Sequence, residues 1–199
     1  MAPHLSPCTP ALGPQPVSAQ LYSPNQTTLV MKEKVFSLTG DDFTVRTVDG
    51  LDICKCKGKM VSAHDSKKFT DTTGTELFTL KNKMLSLHKS FHGDSPHGRH
   101  DFAVKGHFKL VGSRSTVEFK NASDGTEVEL EVKGDWMDRS AAITFAGREV
   151  AKISRSFFNV RELMGDKQTY QVTVAANVDL SLIAAICVSL DERETEEGK

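Results

Sequence analysis

The chain has 199 residues, of which 38% are hydrophobic and 26% are charged, a composition that fits one globular domain and excludes fibrous and largely disordered classes. Its formal net charge of −1 excludes the overall basicity of a typical nucleic-acid-binding protein, so we expect no nucleic-acid partner, and any anion recognition must depend on a local patch. The amino terminus lacks the features of a secretory signal peptide, and the four cysteines form no disulfide framework. We therefore expect a cytoplasmic monomer with reduced thiols, with a peripheral membrane or a nuclear position as alternatives.

The first 26 residues are rich in proline. Six of the seven prolines lie between Pro3 and Pro24, among serine, alanine, glutamine and glycine. Such a composition buries too little apolar surface to offset the conformational entropy that is lost on ordering. We interpret residues 1–26 as a disordered tail and expect the folded domain to span residues 27–192.

From Thr27 onward, short segments with alternating apolar residues are separated by turn signals, as expected for antiparallel strands. The clearest of these patterns is a hairpin in which Phe43–Val48 and Leu51–Cys56 are joined by Asp49-Gly50, a dipeptide favoured in two-residue turns. Further turns are predicted at Thr73-Gly74, Asp124-Gly125 and Ala146-Gly147. Further strands are predicted at Glu76–Leu80, Met84–His88, Thr116–Phe119, Val128–Val132, Ala141–Phe145, Glu149–Ser154 and Tyr170–Val174. About ten to twelve strands result, and closing such a sheet into a barrel removes its unpaired edges.

Basic residues are concentrated in one third of the sequence. Alternation places Lys55, Lys57 and Lys59 on one side of one extended segment, and Lys81 and Lys83 on one side of another. If these two sides meet, several ammonium groups would surround a phosphate-sized anion. The alternative is an ordinary solvated outer face of the barrel, since exposed strand faces are polar.

Five histidines, His88, His92, His97, His100 and His107, lie close together in the sequence. His88 and His92 have the four-residue spacing of a helical metal site. The glycines and the proline within the histidine-rich stretch nevertheless favour strands and loops. Without a carboxylate or thiol that completes a ligand set, the pattern predicts a protonatable loop, and we expect neither a metal nor a cofactor.

The last apolar run, Val178–Leu190, is hydrophobic on nearly every side. As a helix it would extend about 20 Å, which is too short to cross a hydrocarbon core of about 30 Å, and it must therefore be enclosed by protein. Asn177 is predicted to cap this helix, with Asp179 in its first turn. We expect residues 193–199, with the acidic residues just before them, to form a solvated tail.

Four stretches resemble the LURP-one-related family, part of the tubby C-terminal-like group that also includes phospholipid scramblases. They are FSLTGDDFTVRTVDG at Phe36–Gly50, HDSKKFTDTTGTELFTLKNKMLSLHKSF at His64–Phe91, VKGDWMDRS at Val132–Ser140 and QVTVAANVDLSLIAAICVSLDE at Gln171–Glu192. The resemblance implies a closed antiparallel twelve-stranded β-barrel around a hydrophobic C-terminal helix. It also suggests phosphoinositide headgroups as ligands, which tubby domains bind through basic side chains.

These observations favour a mainly β, non-enzymatic binding or adaptor module. The leading hypothesis is recognition of phosphoinositide or other anionic membrane headgroups through the lysine-rich strands. The alternatives are a protein-interaction or tethered transcriptional regulatory protein that binds no lipid, and a hydrolase that uses the histidine-rich region.

Overall fold

The computed structural model describes residues 4–32, 43–59, 66–83, 90–97, 99–107, 113–135, 140–154 and 169–197. They form twelve strands and one helix, in agreement with the predicted strand number. The strands are β1 (Thr27–Lys32), β2 (Phe43–Thr47), β3 (Asp52–Lys59), β4 (Ser66–Thr70), β5 (Glu76–Lys83), β6 (Ser90–Asp94), β7 (His100–His107), β8 (Ser113–Lys120), β9 (Glu127–Asp135), β10 (Ser140–Phe145), β11 (Arg148–Ser154) and β12 (Thr169–Val174). The helix is α1 (Leu180–Glu197).

Every strand pairs with its sequence neighbours in antiparallel fashion, and β1 pairs with β12 to close the barrel. Leu29 illustrates the closure, because it lies opposite Thr47 of β2 on one side and Val172 of β12 on the other. The predicted turns are confirmed at Gly50, Gly74, Gly125 and Gly147, each of which has a positive φ that favours glycine. The strand predicted at Met84–His88 lies outside the described residues.

The helix α1 fills the barrel. Every residue from Val178 to Asp191 is buried, so the prediction that the terminal run is an enclosed helix is confirmed. Inward-facing aromatic side chains of the wall pack around it, with Phe69 stacked on Phe78 at 4.7 Å between ring centroids and Phe102 edge-on to Phe78 at 5.0 Å. Within the described ranges, no helix has both the length and the hydrophobicity of a transmembrane segment.

The cap of α1 is Asp179 rather than Asn177. Its Oδ1 accepts hydrogen bonds from the backbone N–H groups of Ser181 and Leu182, at 2.9 and 3.2 Å, and from the Ser181 hydroxyl. Asn177 instead adopts a positive φ of 61° in the turn before the helix. The capping carboxylate is completely enclosed, and this burial raises its pKa.

Residues 4–26 pack over the end of the barrel where α1 begins, so the expectation of a disordered tail is wrong for them. Leu12 forms a parallel bridge with Val178, and its N–H donates to the Asn177 carbonyl at 2.9 Å. Further along, the Tyr22 hydroxyl donates to the Gln15 carbonyl at 2.5 Å. The apolar residues between the prolines cover this end of the barrel, and they are Leu5, Cys8, Leu12, Leu21 and Tyr22.

At the other end of α1, the prediction that the acidic residues are solvated is wrong for the first two of them, Asp191 and Glu192. Asp191 is buried and accepts a hydrogen bond from the Tyr170 hydroxyl at 3.0 Å. Glu192 forms an ion pair with Lys67, whose side chain faces inward from β4. The helix continues to Glu197, so the described part of the expected tail is helical. These two contacts attach the carboxyl-terminal half of the helix to the barrel wall.

Candidate functional site

The lysine-bearing strands β3 and β5 are both neighbours of β4, which separates them in the wall. Side chains alternate between the helix and the outside along these strands. On β3, Cys54 and Cys56 are buried while Lys55 and Lys57 are not, and on β5 the exposed Lys81 follows the buried Leu80. The predicted alternation of these lysines is therefore confirmed where their side chains are described.

The predicted set comprised five lysines. Lys55, Lys57 and Lys81 lie on the outer wall. The structure does not describe the side chains of Lys59 and Lys83, but the strand register defines the positions of these two residues. Lys59 is opposite Ser66, which is in turn opposite Lys81, and Lys83 is opposite Ser90. At about 4.8 Å between neighbouring strands, the lysine rows of β3 and β5 run about 10 Å apart.

The strand between these rows adds a lysine to the surface. Lys68 of β4 lies directly opposite Lys57, and its partly exposed side chain forms an ion pair with Glu76. The neighbouring Lys67 points the other way, into the barrel, and is only 7% exposed. A signal for this orientation is present in the sequence, because Lys67 shares its strand face with the buried Phe69. The predicted site did not include Lys68.

We call the outer surface that carries Lys55, Lys57, Lys68 and Lys81 the lysine face. Two carboxylates accompany it. Glu76 is held by Lys68 and by the Thr79 hydroxyl, which donates to its Oε1 at 3.0 Å. Asp94 of β6 accepts a hydrogen bond from the Lys81 Nζ at 2.8 Å. Among the described side chains of this face, four ammonium groups are thus set against two carboxylates, which leaves a local excess of positive charge.

The wall formed by β7, β8 and β9 has a different charge pattern. Lys105 pairs with Glu118 at 2.5 Å, Arg114 pairs with Glu131 at 2.5 Å, and Lys133 pairs with the same Glu131. Cations and carboxylates alternate here, and each named cation has a carboxylate partner. Of these two parts of the wall, the lysine face, with four ammonium groups and two carboxylates among its described side chains, is better suited to an anionic ligand.

The histidines lie at the border of the lysine face. His92 of β6 and His100 of β7 are on the outer wall, with ring centroids 4.9 Å apart, and His97 is exposed on the connection between these strands. His88 and the side chain of His107 are outside the described part of the chain. Asp94 lies between His92 and His100 and supplies the carboxylate that the sequence pattern lacked. Its Oδ1 is 2.5 Å from the His100 Nδ1.

The charge state of Asp94 follows from these neighbours. Partial burial raises the pKa of this carboxyl, but the hydrogen bonds from Lys81 and His100 more than compensate and leave the pKa below its ordinary value. Asp94 therefore stays ionised near neutral pH and holds the Lys81 ammonium in place.

Comparison with known proteins gives a consistent family match. Residues 27–191 match the family model described as LURP-one-related. Protein LURP-one-related 15 of Arabidopsis thaliana is 30% identical, over 95% of this chain and 90% of that protein. Protein LURP1 of the same plant is 28% identical, over 89% of each chain. An X-ray structure of an Arabidopsis thaliana protein has a TM-score of 0.61 and 22% identity, covers 89% of this chain and 97% of that one, and has the tubby-like fold.

Proposed function

Because the chain belongs to the LURP-one-related family and has the tubby-like fold, we propose that it is a binding module without catalytic activity. We further propose that its lysine face recognises the phosphate groups of anionic membrane lipids. The lysine face supports this proposal most directly, because its four outward lysines have two carboxylates, Glu76 and Asp94, beside them among the described side chains. Lys57 and Lys68 lie directly opposite one another, so their ammonium groups can approach one phosphate from two neighbouring strands.

The chemistry of lysine fits this role. An ammonium group is a compact charge with three donors on a flexible stem, so it binds phosphate without demanding the fixed geometry of a guanidinium. Near a membrane surface each such residue contributes about 1 kcal/mol of attraction to anionic lipid. Lys55 and Lys57 on β3, with Lys81 two strands away, would follow the surface of a lipid headgroup layer.

The filled interior favours binding over catalysis. The α1 side chains from Leu180 to Leu190 occupy the space in which a barrel of this size would otherwise hold a ligand. His92 and His100 are on the convex outer wall, where water reaches them, rather than in a cavity that excludes it. A general base in a hydrolase needs a defined substrate position within hydrogen-bond reach. The described histidines are not enclosed in this way, which supports a role in binding rather than in catalysis.

A vesicle sedimentation experiment tests the lipid proposal. The full chain would be mixed with vesicles of phosphatidylcholine alone, with added phosphatidylserine, or with added phosphatidylinositol bisphosphate. We expect binding only to the anionic vesicles, with a decrease at high salt as the charges are screened. Soluble inositol trisphosphate and inorganic phosphate, added as competitors, separate recognition of a headgroup from recognition of phosphate alone.

The location of the site is tested with the variant Lys55→Glu with Lys57→Glu. This change should abolish most of the vesicle binding while the protein remains folded. Equal binding to neutral and anionic vesicles, or full binding by the variant, would contradict recognition by the lysine face, and no binding to any vesicle would favour a protein partner instead.

A further inference from the structure

A second cluster of chemically active side chains lies beside the lysine face. His92 and Asp94 are two residues apart on β6 and therefore share its outer side, and His100 opens the neighbouring strand β7. The register places Asp94 directly opposite His100. One potential ligand atom from each of the three residues lies within 4.8 Å of the other two.

The backbone explains why these three side chains converge. The β6–β7 register shifts between Gly93 and Asp94 because β7 carries an extra residue, Asp101, and such a bulge re-aims the side chains beside it. Gly93 also lets Phe102 pack directly beneath β6, since a Cβ at this position would lie 2.1 Å from the Phe102 ring. The strand pair is thereby held close at the level of the cluster.

The carboxylate of Asp94 is already oriented. Its Oδ2 accepts the hydrogen bond from Lys81 at 2.8 Å, while its Oδ1 faces the His100 ring. The Asp94 side chain is only 15% exposed, whereas the His100 side chain is 71% exposed and free to adjust its ring. Lys81 thus fixes one oxygen of the carboxylate and leaves the other directed at the two histidines. Metal-binding carboxylates are commonly held by a neighbouring hydrogen-bond donor in this way.

We propose that His92, Asp94 and His100 form a binding site for a divalent transition-metal ion of the zinc class. Imidazole and carboxylate are the ligand types that Zn²⁺ prefers alongside thiolate, and three protein ligands leave a further position for water. Metal–ligand bonds of about 2.1 Å require ligand atoms about 3.4 Å apart in a tetrahedral site. The Asp94 Oδ1 and the His100 Nδ1 are 2.5 Å apart, and the ligand atoms of all three residues lie within 4.8 Å of one another, so side-chain rotations, above all of the exposed His100, would bring them to that spacing.

This site is independent of lipid binding, because its ligands are His92, Asp94 and His100 rather than the lysines. It nevertheless shares Lys81 with the lysine face, through the hydrogen bond to Asp94. The alternative arrangement of the same residues is an ion-pair cluster of Lys81, Asp94 and His100 that binds no metal. The two arrangements differ in a measurable way, since only the first gives saturable uptake of an ion.

The test uses the metal-free full chain titrated with Zn²⁺ in a calorimeter, and with Co²⁺ as a spectroscopic probe of the coordination. We expect one ion per chain, and a visible Co²⁺ absorption typical of nitrogen and oxygen ligands. The variant His100→Gln should weaken Zn²⁺ binding at least about tenfold, since even the loss of a supporting partner costs a metal site that much. Asp94→Asn should weaken it similarly.

The matched control is His4→Gln, which removes another exposed imidazole far along the chain from the cluster. It should leave Zn²⁺ affinity within about twofold. Because His100 is mostly exposed, His100→Gln should unfold at the same temperature as the parent, which separates loss of a ligand from loss of the fold. Absence of saturable Zn²⁺ binding by the parent chain, or equal binding by the parent and His100→Gln, would overturn the proposal.

Discussion

Lys57 of β3 and Lys68 of β4 lie directly opposite one another on the outer wall of the barrel. Opposed like charges of this kind cost stability, and Lys68 is compensated within its own neighbourhood by the ion pair with Glu76. With Lys55 and Lys81, these two residues make up the lysine face on which the proposed headgroup recognition depends.

The opposed lysines allow stability and binding to be separated with one substitution. Lys57→Glu places a carboxylate opposite Lys68 at an exposed position. We expect the free energy of unfolding, measured by urea titration, to change by no more than about 0.5 kcal/mol, as at exposed positions in general. Binding to anionic vesicles should fall in the same variant. A large loss of stability would show that Lys57 has a structural role instead.

The ion pair between Lys67 and Glu192 joins the wall to the central helix. Glu192→Gln removes the charge that faces the buried Lys67 ammonium, and it should lower the free energy of unfolding by about 3 kcal/mol in denaturant titrations. The double variant Lys67→Met with Glu192→Leu should recover most of this loss, because apolar residues of similar volume replace a buried ion pair well. An unchanged stability in Glu192→Gln would contradict a buried pair.

The amino-terminal segment is predicted to behave as part of the folded domain. Leu12→Asp puts a carboxylate at a buried position against Val178, and we expect it to cost about 3 kcal/mol or more in thermal unfolding experiments. Val17→Asp, in the same segment but at an exposed position, should change stability by no more than about 0.5 kcal/mol. Equal, negligible effects of the two changes would indicate that residues 4–26 are not packed on the barrel.

The buried cap Asp179 predicts a defined pH dependence. Burial raises its pKa above the ordinary value of 3.8. A carboxyl whose pKa is higher in the folded protein contributes stability that is fully present below the unfolded pKa and is lost as the pH rises through the folded pKa. The stability of the parent chain relative to Asp179→Asn should therefore decrease as the pH is raised from about 4 toward neutrality.

A contrasting variant gives the opposite sign. At Asp124 the hydrogen bonds from the Thr126 backbone and hydroxyl hold the pKa below 3.8, so its contribution is lost as the pH falls. The stability of the parent relative to Asp124→Asn should therefore decrease toward acid. If both comparisons had the same slope, the assignment of Asp179 as a buried carboxyl with a raised pKa would be wrong.

Much of the fold could be predicted because its signals are local. The turns at Gly50, Gly125 and Gly147 depend on dipeptides that favour a positive φ, and the apolar run beginning at Val178 needs enclosure on every side. These local features indicated about ten to twelve strands, and the resemblance to the LURP-one-related family implied the closed barrel of twelve that the structure has. The segment before Thr27 was misjudged because its average composition conceals a few apolar residues, such as Leu12. The burial of Leu12 depends on contacts with the residues just before α1, more than 160 positions further along the chain.

The candidate site was less predictable, because it depends on register. Alternation identified Lys55, Lys57 and Lys81 as outward-facing, but only strand pairing shows that Lys68 lies between the two rows. The convergence of Asp94 with His100 depends on a bulge at Asp101 of β7, and no local pattern in the sequence specifies it. Sequence spacing fixes which face of a strand a residue occupies, whereas neighbours across strands are set by the whole barrel.

The most direct test of the central claim compares two double variants with the same change in net charge. Lys55→Glu with Lys57→Glu alters the lysine face, whereas Lys120→Glu with Lys152→Glu alters exposed lysines on β8 and β11. The measured quantity is the partition of each protein onto vesicles that contain phosphatidylinositol bisphosphate. We predict a loss of at least about 30-fold for the first variant, since two lysines at about 1 kcal/mol each are lost and two repelled carboxylates are added, and a much smaller loss for the second. Equal losses in both variants, or no loss in the first, would contradict the assignment of headgroup recognition to the lysine face.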